Sequence, residues 1–119
     1  MSWIEAFLWT LVLELPIYAL VLWRRLPLLP FLVIAIGGSA LTHPFVWQLV
    51  PKLEIEFDSY DHAVWIMEAF AVTVEAALAA FVLWRCRSPH PVLRGSMAAL
   101  AANGFSWWLG TYITTWFAT

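Results

Sequence analysis

Apolar residues run in four long blocks along the chain, roughly 3–23, 26–50, 63–84 and 95–118, and the charged residues fall mostly in the gaps between them. Each block is close to the ~20 residues that an α-helix needs to cross the hydrocarbon core of a bilayer. None of them alternates as a barrel strand does, and inside lipid only helices and closed barrels satisfy their own backbone. The pattern predicts an all-α integral membrane protein, one membrane domain over 1–119, in which four transmembrane helices form a bundle. The gaps are short, so sequential helices should pack as antiparallel neighbours. Little chain is left for a soluble domain.

The polar positions inside the blocks are sparse and fall at helical spacing. Thr10, Glu14 and Tyr18 are four residues apart in the first block, and Ser39, Thr42 and His43 are three and four apart in the second. In the third, Glu68 and Glu75 are two turns apart on one side. In the fourth, Ser96, Ala99, Asn103, Ser106 and Gly110 follow a rhythm of three and four. One polar or small stripe per helix means that all four stripes can face a common interior. Leucine, valine, isoleucine and phenylalanine are then left for lipid. Ala98, Ala102, Ser106 and Gly110, small residues at every fourth position, suit close helix packing, and Ser39, Thr42 and Ser106 suit interhelical hydrogen bonding.

Part of the pattern repeats. The stretch ALVLWRR at 19–25 returns as AFVLWRC at 80–86, and the same offset of 61 places Glu14 on Glu75. An offset of 64 places Ser39 on Asn103 and Thr42 on Ser106. The chain therefore reads as two tandem helical hairpins, about 1–50 and 63–119. Two spans per copy put both copies in the membrane in the same orientation, which predicts a pseudo-two-fold axis along the membrane normal.

Composition and charge placement sharpen this picture. Hydrophobic residues make up 63% of the chain and charged residues 12%, about half the charged share of a soluble domain. The first block lacks a basic leader, carries Glu14 at its middle and is followed by Arg24 and Arg25, so it reads as a retained span and not as a cleaved signal. Arg24, Arg25, Arg85, Arg87 and Arg94 lie in the first and third gaps, and Lys52 alone lies in the second. The positive-inside rule makes loops 24–31 and 85–94 cytoplasmic and both termini external, which is periplasmic for a bacterial inner-membrane protein. The second gap, PKLEIEFDSYDH, then forms an external acidic loop with Glu54, Glu56, Asp58 and Asp61. Trp3, Trp47, Trp65 and Trp116 mark the outer interface in this frame, and Trp23 and Trp84 the inner one. The single cysteine, Cys86, excludes an intrachain disulfide and a thiol-pair redox centre.

The candidate chemistry lies at mid-span. An ionised carboxylate at the centre of a transmembrane helix is unfavourable by roughly 2.5–3.5 kcal/mol on insertion scales, so Glu14 and Glu75 should face the bundle interior. Desolvation and mutual repulsion disfavour two negative charges there. The pair should keep at least one proton or hold a cation between its members. Asn103 can orient a carboxylate or lock a packing geometry. Pro16 and Pro44 remove the hydrogen bonds to the Val12 and Ala40 carbonyls and predict helix kinks beside Glu14 and His43. His43 has Trp107 as its repeat counterpart, so it breaks the symmetry. It is expected in a hydrated polar pocket, or as the hydrogen-bonding partner of a core glutamate.

Glu14, His43 and Glu75 together could ligate a divalent metal, although no His-Glu-x-x-His or Glu-x-x-His spacing is present. Nucleotide-binding glycine loops and a serine-hydrolase elbow are also missing from the sequence, and nothing supports nucleic-acid binding. Three functions fit these residues. The first is binding and movement of protons or a small cation through Glu14, His43, Glu75, Glu68 and Asn103, supported by Tyr18, Ser39, Thr42 and Ser106. The second is a non-catalytic membrane subunit or assembly factor of a larger complex. The third is a metal-dependent membrane enzyme acting on a lipid or quinone-like substrate. The bilayer is the expected partner in each case, together with further copies of the chain or a larger membrane complex.

Overall fold

The computed structural model describes residues 2–118, with side chains through residue 113, and among these the chain is helical with no strand. The first helix, Trp3–Leu22, starts with a reciprocal cap. The Ser2 hydroxyl accepts the Glu5 backbone N–H at 3.2 Å, while the Glu5 carboxylate accepts the Ser2 N–H at 2.7 Å. The second helix, Leu28–Phe57, has an α-helical start at Leu28–Leu32, a π-helical segment at Val33–Gly37 and a long α-helical remainder at Gly38–Phe57. The third is Tyr60–Arg85 and the fourth Pro91–Ala118. Trp116 lies outside the residues whose side chains are described.

The first, second and third helices are long and apolar enough to cross a membrane, by length and composition. Their outward surfaces agree with that reading. Large apolar side chains within them such as Leu20 and Leu41 are 80% and 55% exposed, as a lipid-facing surface would be.

The second helix is longer than the hydropathy pattern predicts. It does not stop near residue 50 but continues through Pro51 to Phe57, so Lys52, Glu54 and Glu56 lie on exposed helical turns and not in a loop. Leucine, lysine and glutamate are good helix formers, and a single proline removes only one backbone bond. The helix ends where Asp58 turns left-handed at φ 50° with its N–H on the Glu54 carbonyl. Only Asp58 and Ser59 connect it to the third helix, which begins three residues early because the Ser59 side chain caps the His62 N–H. The fourth helix also begins early, at Pro91, since proline suits a first helical position.

The prolines do not interrupt their helices. The first runs through Pro16, and the second through Pro44 and Pro51. A departure from α-geometry lies at Val33–Gly37, where the bonding reaches one residue further along the chain. That segment directly precedes Gly38 and Ser39, which meet the third helix at the site described below.

The third helix packs against the second and fourth, and the first packs mainly against the fourth. At the end that carries the Arg24 connection the interior is closed by Tyr18, Leu22, Phe31, Ile34, Ala35, Ala79, Leu83, Ala98 and Ala102. The small-residue stripe of the fourth helix allows this closeness. Gly95 sets its limit, because a Cβ there would stand 2.7 Å from the Ala80 backbone nitrogen.

Candidate functional site

At mid-bundle the first helix supplies Glu14 and the third supplies Glu75, and each is at most 2% exposed. Ser39, from the turn after the π-helical segment, stands between them. Its hydroxyl donates to Glu14 Oε2 at 2.5 Å and lies 3.5 Å from Glu75 Oε1. Ser106 of the fourth helix donates to the other Glu14 oxygen at 3.1 Å. Tyr18 donates to Glu75 Oε1 at 3.0 Å. Thr42 Oγ1 lies 3.5 Å from Glu75 Oε2 and 3.1 Å from the Gly38 carbonyl. Asn103 flanks Glu75 as well, with its amide donating to the Ala99 carbonyl at 2.9 Å. All four helices meet at these two carboxyl groups.

Gly38 makes the approach possible. A Cβ at this position would lie 2.9 Å from Glu75 Cγ, so the absent side chain is the space that Glu75 occupies. Each surrounding hydroxyl has a single proton to give. Ser39 faces both carboxyls and Thr42 faces both a carboxyl and a backbone carbonyl, so hydroxyl protons alone do not satisfy the two glutamates. Among the described residues no lysine, arginine or histidine is a charged neighbour of either one. Charge balance at the pair must come from a bound proton or a bound cation.

His43 is not part of this cluster. It sits among Trp3, Phe7 and Trp47, with ring centroids 5.8, 5.4 and 6.2 Å away. Its buried Nε2 has no hydrogen-bond partner among the described residues. The expected polar pocket around His43 is thus an aromatic clasp between the first and second helices. It forms because the rings of Trp3 and Phe7 lie on the first-helix face opposite His43. No group of three metal-ligating side chains occurs among the described residues, so the three-ligand set Glu14, His43 and Glu75 does not assemble.

Glu68 lies apart from the hydrogen-bonded cluster, within electrostatic reach of Glu75. It lines a cavity of about 680 Å³ that all four helices bound, at the end of the bundle opposite the closed core. Thr10 and Leu13 contribute from the first helix, Trp47 from the second, Trp65 from the third, and Ser106 and Trp107 from the fourth. Trp65 and Trp107 face each other with ring centroids 5.0 Å apart. Ser106 belongs to both regions, since it lines the cavity and bonds to Glu14.

Of the residues singled out from sequence, Glu14, Tyr18, Ser39, Thr42, Glu75, Asn103 and Ser106 come together. Glu68 stands at the cavity, and His43 is elsewhere. Sequence reasoning missed Gly38, whose place one residue before Ser39 is a usable signal once Ser39 is known to face a glutamate. It also reads Trp47 and Trp65 as interfacial anchors only, whereas both line the cavity. Comparison with known proteins finds no matching family, no matching curated protein and no matching solved structure, so the functional reading rests on the geometry of the site itself.

Proposed function

We propose that the protein is a small membrane carrier or channel that binds protons or a small cation at Glu14 and Glu75 and passes them between the two faces of the bilayer. The observation that carries this reading is a pair of buried carboxyls, without a positively charged neighbour among the described residues, set where a closed interior meets an open cavity. A structural ion pair would have its cation built into the fold. Here the counter-charge has to arrive and can leave.

In this reading all four helices span the membrane, with both termini and the cavity mouth external and the arginine-bearing connections cytoplasmic. The bundle is two tandem hairpins. The partners of the two glutamates support that relation, because they exchange under the repeat. Ser39 is to Glu14 as Asn103 is to Glu75, and Ser106 is to Glu14 as Thr42 is to Glu75. Tyr18 and the cavity break the symmetry, which gives the path a direction.

The test is flux in proteoliposomes loaded with a pH-sensitive dye, with an imposed proton or alkali-cation gradient. The wild-type chain should dissipate at least one of the gradients, and Glu14→Gln and Glu75→Gln should each slow that flux at least about tenfold while keeping the helical fold, because the amide retains the shape and loses the exchangeable charge. Wild-type rates in both variants would sink the reading.

A further inference from the structure

The cavity has a chemistry of its own that the glutamate pair does not use. Its walls present the indole rings of Trp9, Trp47, Trp65 and Trp107. Such faces carry negative electrostatic potential and attract cations, most strongly when the cation is desolvated. Glu68 lines the same space, and among the described residues it makes neither a hydrogen bond nor an ion pair. A carboxylate in such a site lacks a counter-charge, and an aromatic wall alone also takes neutral apolar bodies. Together they select for a positive charge borne on an apolar body. The volume of about 680 Å³ is within the range of sites for small organic ligands, which are mostly apolar with a few placed polar groups.

We propose that this cavity is a binding site for a hydrophobic organic cation, such as a quaternary ammonium or a protonated amine with an aromatic or branched alkyl body, with Glu68 as its counter-ion and the tryptophans as its cage. A bare metal ion would leave the indole walls without a role, and an organic anion would meet Glu68 with Glu75 behind it. The inference extends the reading of the core as a cation site, since Ser106 joins the cavity to Glu14, but it stands on the cavity walls and is measured by binding and not by flux.

The experiment uses the full chain in lipid nanodiscs and two probes of matched shape and opposite charge, tetraphenylphosphonium and tetraphenylborate. Binding is measured by equilibrium dialysis, and partition into empty nanodiscs is subtracted. The phosphonium should bind saturably at one per chain, and the borate should show no saturable binding. Glu68→Gln should weaken the phosphonium at least about tenfold and Trp65→Leu by a smaller factor. Glu54→Gln, on an exposed turn away from the cavity, should bind as the wild type does. Glu68→Met, which keeps the side-chain length, serves as a second charge-free variant should the amide disturb folding. Equal phosphonium affinity in wild type and in both Glu68 variants, saturable borate binding, or no binding above empty nanodiscs would each overturn the proposal. Glu14→Gln and Glu75→Gln separate the two readings. If these variants lose flux but bind the phosphonium, the core reading stands whatever Glu68 does, and if they keep flux while Glu68→Gln loses binding, only the cavity reading stands.

Discussion

The bundle has two unlike halves that meet at Glu14 and Glu75. Toward the Arg24 connection the interior is closed by Tyr18, Leu22, Ile34 and Leu83 over a floor of alanines, with Gly95 against the backbone of the neighbouring helix. Toward the Asp58–Ser59 turn the same helices enclose a cavity walled by tryptophan. The difference follows from side-chain volume. Alanine and glycine let helix axes approach until packing reaches the density of a protein interior. Bulky indoles such as Trp65 and Trp107, in contact at a ring-centroid distance of 5.0 Å, keep their helices further apart. The two carboxyls stand buried at that junction, and Ser106, which bonds Glu14, also lines the cavity.

The largest expected effect lies at the junction itself. Glu14→Gln or Glu75→Gln should abolish flux in reconstituted vesicles with little loss of helicity by circular dichroism. Breaking the closed half comes next. Gly95→Ala must push the third and fourth helices apart, because the new Cβ meets backbone and not a mobile side chain. A destabilisation of about 1–3 kcal/mol is expected, read as a lower unfolding midpoint in detergent titration. Gly95→Leu should be worse. Gly38→Ala sharpens the comparison, since its Cβ meets the Glu75 side chain, which can move aside. Its stability should fall by less than that of Gly95→Ala while its flux falls more. The smallest effects belong to the aromatic clasp. His43→Phe keeps the ring contacts and discards an Nε2 that has no partner among the described residues, so flux should be near wild type. His43→Ala should cost about 1 kcal/mol of stability. A His43→Phe variant without flux would return the histidine to the functional site.

Most of the buried polar cluster is legible because polar residues are rare within the apolar blocks and their spacing is informative. Glu14, Ser39, Thr42, Glu75, Asn103 and Ser106 stand out against an apolar background, and helical periodicity alone places them on inward faces. His43 was misplaced for a physical reason. It lies one turn beyond Ser39 and about 100° round the helix from Thr42, where Trp3 and Phe7 of the first helix meet it, and no rule of spacing within one helix reports what the adjacent helix offers. The helix ends were misjudged because hydropathy tracks the membrane and not the backbone. Lys52, Glu54 and Glu56 are polar, yet they are good helix formers, so the second helix outlasts its apolar segment. The π-helical segment at Val33–Gly37 has no clear signature in VIAIG, a run of ordinary apolar residues. The contrast between the halves was written in the sequence as alanines at 98, 99 and 102 and tryptophans at 9, 47, 65 and 107, but which of these face one another depends on how the helices pair.

The most direct test of the central claim is thiol accessibility. Cys86→Ser removes the native thiol, and single cysteines are then placed at Thr10 and Ser106 in the cavity and at Ala79 and Ala102 in the closed core, each in native membranes exposed to a membrane-impermeant maleimide. Thr10→Cys and Ser106→Cys should label rapidly, and Ala79→Cys and Ala102→Cys should be protected. Equal labelling of all four positions, or labelling of the core positions alone, would contradict a carboxylate pair that opens to one side.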